Sequence, residues 1–307
     1  MRGTVMLALA AIAAGCGNYS NEDLEYMSVV PERQELAANL PAAQSAVQLA
    51  AAAELYKTTH NVTETLNGAL DKFLGLIETI RHYSPQSRTA DSRTWGPFPP
   101  SPDNPDWRGE MQISRASAAR FDYWFGFVPV ASPGDLPLSI IDGNFQLGAS
   151  LREGHGELDV ATAKARAAGL TVNLGLLDHM EIAYDVVGPT VSVNMTITNL
   201  PNPLSPSDIR TATYQYAVVA DGRGAMTFTF MADAVPGPAV ETIRLTSRWL
   251  PTGEGRAEAA ILDGDGAGAQ QVQCWNAQLG VTYNSKPWAP LENAGTPADC
   301  ADIPATL

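Results

Sequence analysis

The chain has 307 residues, 45% of them hydrophobic, and a formal net charge of -14. An acidic chain with dispersed Lys and Arg repels a phosphate backbone and has no polybasic patch for anionic lipid, which excludes nucleic acid as a partner. The apolar share is that of an ordinary globular protein, and the length suits one large domain or one domain with a helical annex.

Residues 1–15 read as a secretory signal: Arg2 precedes an apolar run from Val5 to Ala14, closed by small residues. That run is shorter than the roughly 20 residues needed to cross a bilayer. Ala13-Ala14-Gly15-Cys16 resembles the lipobox of bacterial lipoproteins, with Ala where the first position is usually Leu. The resemblance implies cleavage before Cys16 and lipid on its sulfur. Attachment to the membrane then comes from the acyl chains, at about 0.8 kcal/mol per buried methylene. In bacterial lipoproteins an Asp after that cysteine commonly retains the protein at the inner membrane. Gly17 stands there, which by the same resemblance implies the outer membrane, on either its periplasmic or its surface face.

The chain has 3 cysteines, and lipidation of Cys16 leaves Cys274 and Cys300 as an even pair in an oxidising compartment. A disulfide between them is expected, pinning the C-terminal tail to the body of the protein.

Residues 16–22 are polar and read as a tether. Residues 23–83 are helical in character, with Leu36, Leu40, Val47, Leu49 and Leu55 in Ala-rich sequence of high helix propensity. The clearest helix follows Asn61, with Glu64 three residues on as a capping signature. Leu66, Leu70, Phe73, Leu74, Ile77 and Ile80 then recur at helical spacing over residues 62–82. The six prolines between Pro85 and Pro105 mark residues 84–106 as a linker or rigid wrap without regular structure.

Over residues 107–288 the period changes to two. Phe121, Tyr123, Phe125 and Phe127 alternate with other residues, as do Met180, Ile182, Tyr184 and Val186, then Val191, Val193, Met195 and Ile197. Asp221-Gly222 separates two further alternating runs and is a hairpin signal. Ile243, Leu245 and Trp249, then Val272 and Cys274, then Leu279, Val281 and Tyr283 close the series. Strict alternation predicts one buried and one wet face, hence antiparallel pairing. The expected fold is α+β, mainly β: a large curved antiparallel sheet or partial barrel of about ten to twelve strands, with the N-terminal helical segment on its concave face. Residues 289–307 form a tail.

Thr246-Ser-Arg-Trp-Leu-Pro-Thr-Gly-Glu-Gly-Arg-Ala-Glu258, Val272-Gln-Cys-Trp-Asn276 and Gly156-Glu-Leu-Asp-Val-Ala-Thr-Ala-Lys-Ala165 resemble a pattern in uncharacterised lipoproteins of myxobacterial type. The resemblance spans the C-terminal two thirds and carries no activity. A sheet with a covering helix is also similar to the open barrels of periplasmic lipoprotein carriers, by fold analogy only.

Catalytic signatures are missing from the sequence. There is no G-x-S-x-G elbow, S-x-x-K pair or Gly-rich phosphate loop, and no cofactor is expected. His60, His82, His155 and His179 stand apart from one another and read as polar surface residues, so no metal is expected. Asp263-Gly-Asp265-Gly resembles the start of a calcium loop, but Ala267 and Cys274 occupy two ligand positions and a hairpin loop is the better reading. Glu157 and Asp159 alternate on one strand and read as solvated charges. In the cluster Phe121–Phe127 the odd positions read as core, with Trp124 on the other face covering a sheet edge or meeting Trp95.

Two functions fit these features. The first is a non-enzymatic envelope lipoprotein that binds an apolar ligand, a lipid or acyl chain, between sheet and helix, lined by Met180, Ile182, Tyr184, Met195, Ile197, Met226, Phe228 and Phe230. The alternative is a structural or protein-interaction lipoprotein with a filled core. An enzyme ranks third, for want of a nucleophile or base.

Overall fold

The computed structural model describes residues 20–171, 178–202, 205–233, 235 and 237–304. The signal segment and Cys16 lie outside the described residues.

Four helices open the described chain: α1 (Asn21–Ser28), α2 (Arg33–Leu36), α3 (Ala46–Ala51) and α4 (Glu54–Arg81). Fourteen strands follow: β1 (Ser87–Arg88), β2 (Ser92–Trp95), β3 (Trp107–Arg115), β4 (Arg120–Pro129), β5 (Leu138–Leu147), β6 (Gly154–Val160), β7 (His179–Val187), β8 (Thr190–Asn202), β9 (Ser205–Val218), β10 (Gly224–Ala232), β11 (Glu241–Trp249), β12 (Gly255–Ile261), β13 (Gln270–Trp275) and β14 (Val281–Ser285). A short helix α5 (Thr162–Ala167) follows β6. Each strand pairs antiparallel with its neighbour in sequence, so the sheet is one unclosed meander from β1 to β14. This is the mainly β architecture, packed by an N-terminal helical segment, that the alternation predicts.

Period-two patterning sorts the two faces as expected. Along β7, Met180, Ile182, Tyr184 and Val186 are buried and Glu181, Ala183 and Asp185 are exposed. The buried set shares one core cluster with the inner face of α4, which carries Leu66, Leu70, Phe73, Leu74, Ile77 and Ile80, the stripe read from the sequence.

The helix starts earlier than expected, at Glu54, so Asn61 and Glu64 lie within it and cap nothing. Tertiary contacts outweigh the local signature. The Leu55 amide donates to Gln273 Oε1 at 2.8 Å, the hydroxyls of Thr59 and Ser247 lie 2.6 Å apart, and Thr63 Oγ1 donates to Met226 Sδ at 3.5 Å. The Ala53 amide, at the helix N-cap, donates to the Leu279 carbonyl. Leu279 itself is not a strand residue: it occupies the β13–β14 turn with φ 67°.

Two further expectations are corrected. Helix α1 begins at Asn21, inside the segment read as a tether, because Ser20 and Asp23 form a capping box. Residues 84–106 are not devoid of regular structure: β1 and β2 form a hairpin that extends the sheet from β3. Pro85 and Pro97 flank this hairpin, and Trp95, fully buried, donates its indole N–H to the Tyr83 carbonyl at 2.8 Å. Prolines outside a strand leave its ladder intact.

The Cys274–Cys300 disulfide is formed and ties the C-terminal segment to β13. In the chain-entropy treatment closing this loop of 26 residues stabilises by about 3 kcal/mol. The segment also covers the β14 edge through a bridge between Asn284 and Ala294. At the other edge β1 is only two residues long, a short edge that offers little for further pairing.

Candidate functional site

Met180, Ile182, Tyr184, Met195, Ile197, Met226 and Phe228 belong to the single core cluster shared by sheet and helices, with Phe230 packed against it. The first seven are at most 7% exposed. Met226 meets Thr63 of α4, and the Tyr216 hydroxyl accepts from the Asn39 amide of the α2–α3 connection. At these residues the inward face is occupied by the protein's own helices, while an apolar pocket of about 300 Å³ remains between α4 and β3–β4, beside Ile80, Trp107, Phe125 and Phe127.

The opposite face of the sheet, over β4–β8, carries a groove of about 730 Å³. Antiparallel register builds it from two cross-strand rows. In the first, Trp124 of β4 stands opposite Asp142, Asp142 opposite Asp159, Asp159 opposite Glu181, and Glu181 opposite Thr196 of β8. In the second, Asp122, Asn144, Glu157, Ala183 and Asn194 follow the same order of strands. All ten residues line the groove.

Neighbouring polar groups hold these side chains. Arg120 Nε donates to Asp122 Oδ1 at 3.0 Å, Ser139 Oγ to Asp142 Oδ1 at 2.7 Å, and Asn144 Nδ2 to Glu157 Oε2 at 2.9 Å. Trp124 is half-buried in mid-sheet and donates its indole N–H to Gln112 Oε1 at 3.3 Å. It therefore neither covers an edge nor meets Trp95, which lies on the inward face.

Behind the groove, two phenols are packed under the sheet. Tyr123 and Tyr184 bring their hydroxyls within 3.5 Å, and burial pushes both well above the ordinary tyrosine range. They stay protonated and serve as packing, not as bases.

At one end of the groove His179 Nε2 lies 3.0 Å from Asp159 Oδ2. His179 and Glu181 share a face of β7, two residues apart, and one donor atom each from Asp159, His179 and Glu181 lies within 4.8 Å of the others. This is the set among the described residues whose donor types could hold a metal ion. Sequence reading placed His179 and Asp159 as isolated surface groups because register, which juxtaposes them, is not a local property. The available signal was carboxylates sharing one face of a strand, Glu157/Asp159 two residues apart and Glu181/Asp185 four apart, on the side of the sheet where Trp124 also falls.

The Asp263–Gly268 loop behaves as a hairpin connection: Asp263 Oδ1 accepts from the Thr242 amide and Asp265 Oδ2 from the Ala239 amide. Its carboxylates are spent on backbone donors.

No family model matches the chain, and neither the curated proteins nor the solved structures contain a match.

Proposed function

We propose that this chain is a non-enzymatic lipoprotein of the cell envelope, anchored through Cys16 at the outer membrane, that binds a saccharide in the outward groove of β4–β8. The observation that carries the reading is Trp124 at the head of a row of carboxylates. An indole face stacks on the C–H face of a pyranose, while planar carboxylates and amides on either side accept and donate to vicinal hydroxyls. Because Asp122, Asp142 and Glu157 are already held by Arg120, Ser139 and Asn144, little side-chain freedom is lost on binding. The groove volume falls within the range of about 300–1,000 Å³ typical of small-molecule sites. The acidic lining disfavours phosphorylated or carboxylated glycans, so neutral and amino sugars are the expected class.

The rival reading, an apolar ligand between sheet and helix, has less support. Such a ligand has to displace Met180, Ile182, Tyr184, Met195, Ile197, Met226, Phe228 and Phe230 from α1–α4 or lift the helices away. Either change costs about 1.5–3 kcal/mol for each large side chain left exposed. The packing of these eight residues into the core favours a role played at the outward groove.

The test is calorimetric titration of the protein with neutral hexose and N-acetylhexosamine oligomers, with tryptophan fluorescence read in parallel. Binding that shifts the emission, and that Trp124→Ala abolishes, is the expected result. Heat from none of the oligomers, or equal binding by Trp124→Ala, overturns the saccharide reading. The anchor is tested separately: Cys16→Ser is expected to move the protein from the membrane to the soluble fraction.

A further inference from the structure

We propose that Asp159, His179 and Glu181 form a binding site for one divalent transition-metal cation, with zinc the best chemical match. The site is built by register. Asp159 of β6 is directly opposite Glu181 of β7, and His179 precedes Glu181 by two positions and so projects to the same side. One donor atom from each residue lies within 4.8 Å of the others, and His179 Nε2 is 3.0 Å from Asp159 Oδ2. Zinc bonds to nitrogen and oxygen of about 2.0–2.2 Å place tetrahedral ligand atoms about 3.3–3.6 Å apart. Glu181 is exposed, so its side chain has room to move toward that spacing.

A second observation singles out this cluster among the acidic groups of the groove. Asp159 Oδ1 is shielded from solvent yet has no hydrogen-bond partner. The Asp159 side chain is partly exposed, but this one oxygen lacks the electropositive partner that a bound cation supplies. The pairing of His179 with Asp159 alone satisfies only the other oxygen.

Charge and ligand type agree. A neutral imidazole and two carboxylates carry the charge of -2 that balances a dication, and imidazole suits zinc, nickel or copper over calcium and magnesium. Asp142, opposite Asp159, adds negative potential from β5, but its Oδ1 is engaged by Ser139. Thr198 stands opposite His179 and Thr196 opposite Glu181, so β8 brings no competing cation. The nearby guanidinium of Arg166 is paired with Asp178 at the start of β7. Three protein ligands leave the remaining coordination positions open toward the groove, the arrangement of a site that exchanges water or a ligand hydroxyl. The inference does not depend on the saccharide reading.

Equilibrium dialysis of the full-length chain against zinc chloride, with manganese and calcium chlorides in parallel, tests it. One zinc per chain is expected, with weaker manganese and little calcium. His179→Ala and Asp159→Asn are each expected to weaken zinc at least tenfold, while His155→Ala, on the same face of β6, leaves it unchanged. Zinc is also expected to raise the melting temperature of the wild type and not of His179→Ala. No zinc taken up, or uptake undiminished in both His179→Ala and Asp159→Asn, overturns the site. Because no saccharide is present, either result leaves the groove reading to its own test.

Discussion

The phenol end of Tyr184 covers Gly156, its direct cross-strand partner: a Cβ on that glycine would overlap the phenol carbon and oxygen. The same relation joins Tyr123 to Gly143, and the two phenols meet between them. Further along the sheet Trp249 covers Gly224, and Trp275 covers Gly255. An aromatic ring laid across a glycine restores the apolar contact that the missing side chain gives up. These pairs set the inner wall directly behind the groove and behind the disulfide-bearing edge.

Gly156→Ala is therefore expected to destabilise the protein by about 1–3 kcal/mol, the range for overpacking a tight site. Asn144 O, at 2.8 Å from the added carbon, blocks escape on the other side. Chemical denaturation measures the loss. An unchanged midpoint would show that the Tyr184 ring swings away without cost.

Glycines in α4 behave oppositely. Nothing lies within 4 Å of a Cβ added at Gly68 or Gly75, and both have helical dihedrals. Gly68→Ala and Gly75→Ala are each expected to stabilise by about 0.5–1 kcal/mol, because alanine loses less backbone freedom on forming a helix. Thermal melts of the two variants check this.

Alternation along Met180–Val186 and the stripe Leu66–Ile80 made the sheet and its covering helix legible, since both are local periodicities. What escaped depends on partners distant in sequence. The start of α4 is decided by Gln273 and Ser247, and the β1–β2 hairpin by pairing to β3, which the prolines of 84–106 concealed. The groove was legible only in fragments: Glu157/Asp159 and Trp124 were each noticed, but nothing within one strand says that Trp124, Asp142, Asp159 and Glu181 fall in a row.

Asp23 and Arg93, both buried, pair at 2.6 Å and fasten α1 to the β1–β2 hairpin. Burial pushes the Asp23 carboxyl up, but the Ser20 amide and the Arg93 and Arg88 guanidinium groups outweigh it and hold the pKa below the ordinary carboxylate value. With the folded pKa depressed, the stabilisation is complete above pH of about 4 and is lost as pH falls through the lowered folded value. Asp23→Asn, which removes the buried one of the two carboxylates on Arg93 and leaves only the exposed Glu22, is expected to cost about 1–3 kcal/mol at neutral pH. Its disadvantage should shrink as the pH falls below about 4. Stability curves at pH 7 and in acid test the sign: a gap that widens in acid contradicts it.

Reduction of Cys274–Cys300, or the Cys274→Ala/Cys300→Ala double variant, is expected to lower stability by about 3 kcal/mol. The loss should be the same in both cases, since each releases the same loop. Thiol titration gives the check: no reactive thiol from these two residues before reduction and two after it. Proteolysis should then begin in the freed residues 289–304, whose two short turns are poorly buried.

Phe228 and Trp124 separate core from surface in one experiment. Phe228 is 3% exposed and sits in the interior cluster. Truncation to alanine is expected to cost about 3–5 kcal/mol, as for buried aromatics generally. Trp124 is half-buried on the polar face, where it lines the groove and its indole N–H is held by Gln112. Trp124→Ala should cost about 1–2 kcal/mol at most, yet remove ligand binding. If an apolar ligand occupied the interior instead, Phe228→Ala would enlarge its site and change affinity while Trp124→Ala left it untouched. Measured together by denaturation and titration, the two variants place the binding surface on one side of the sheet or the other.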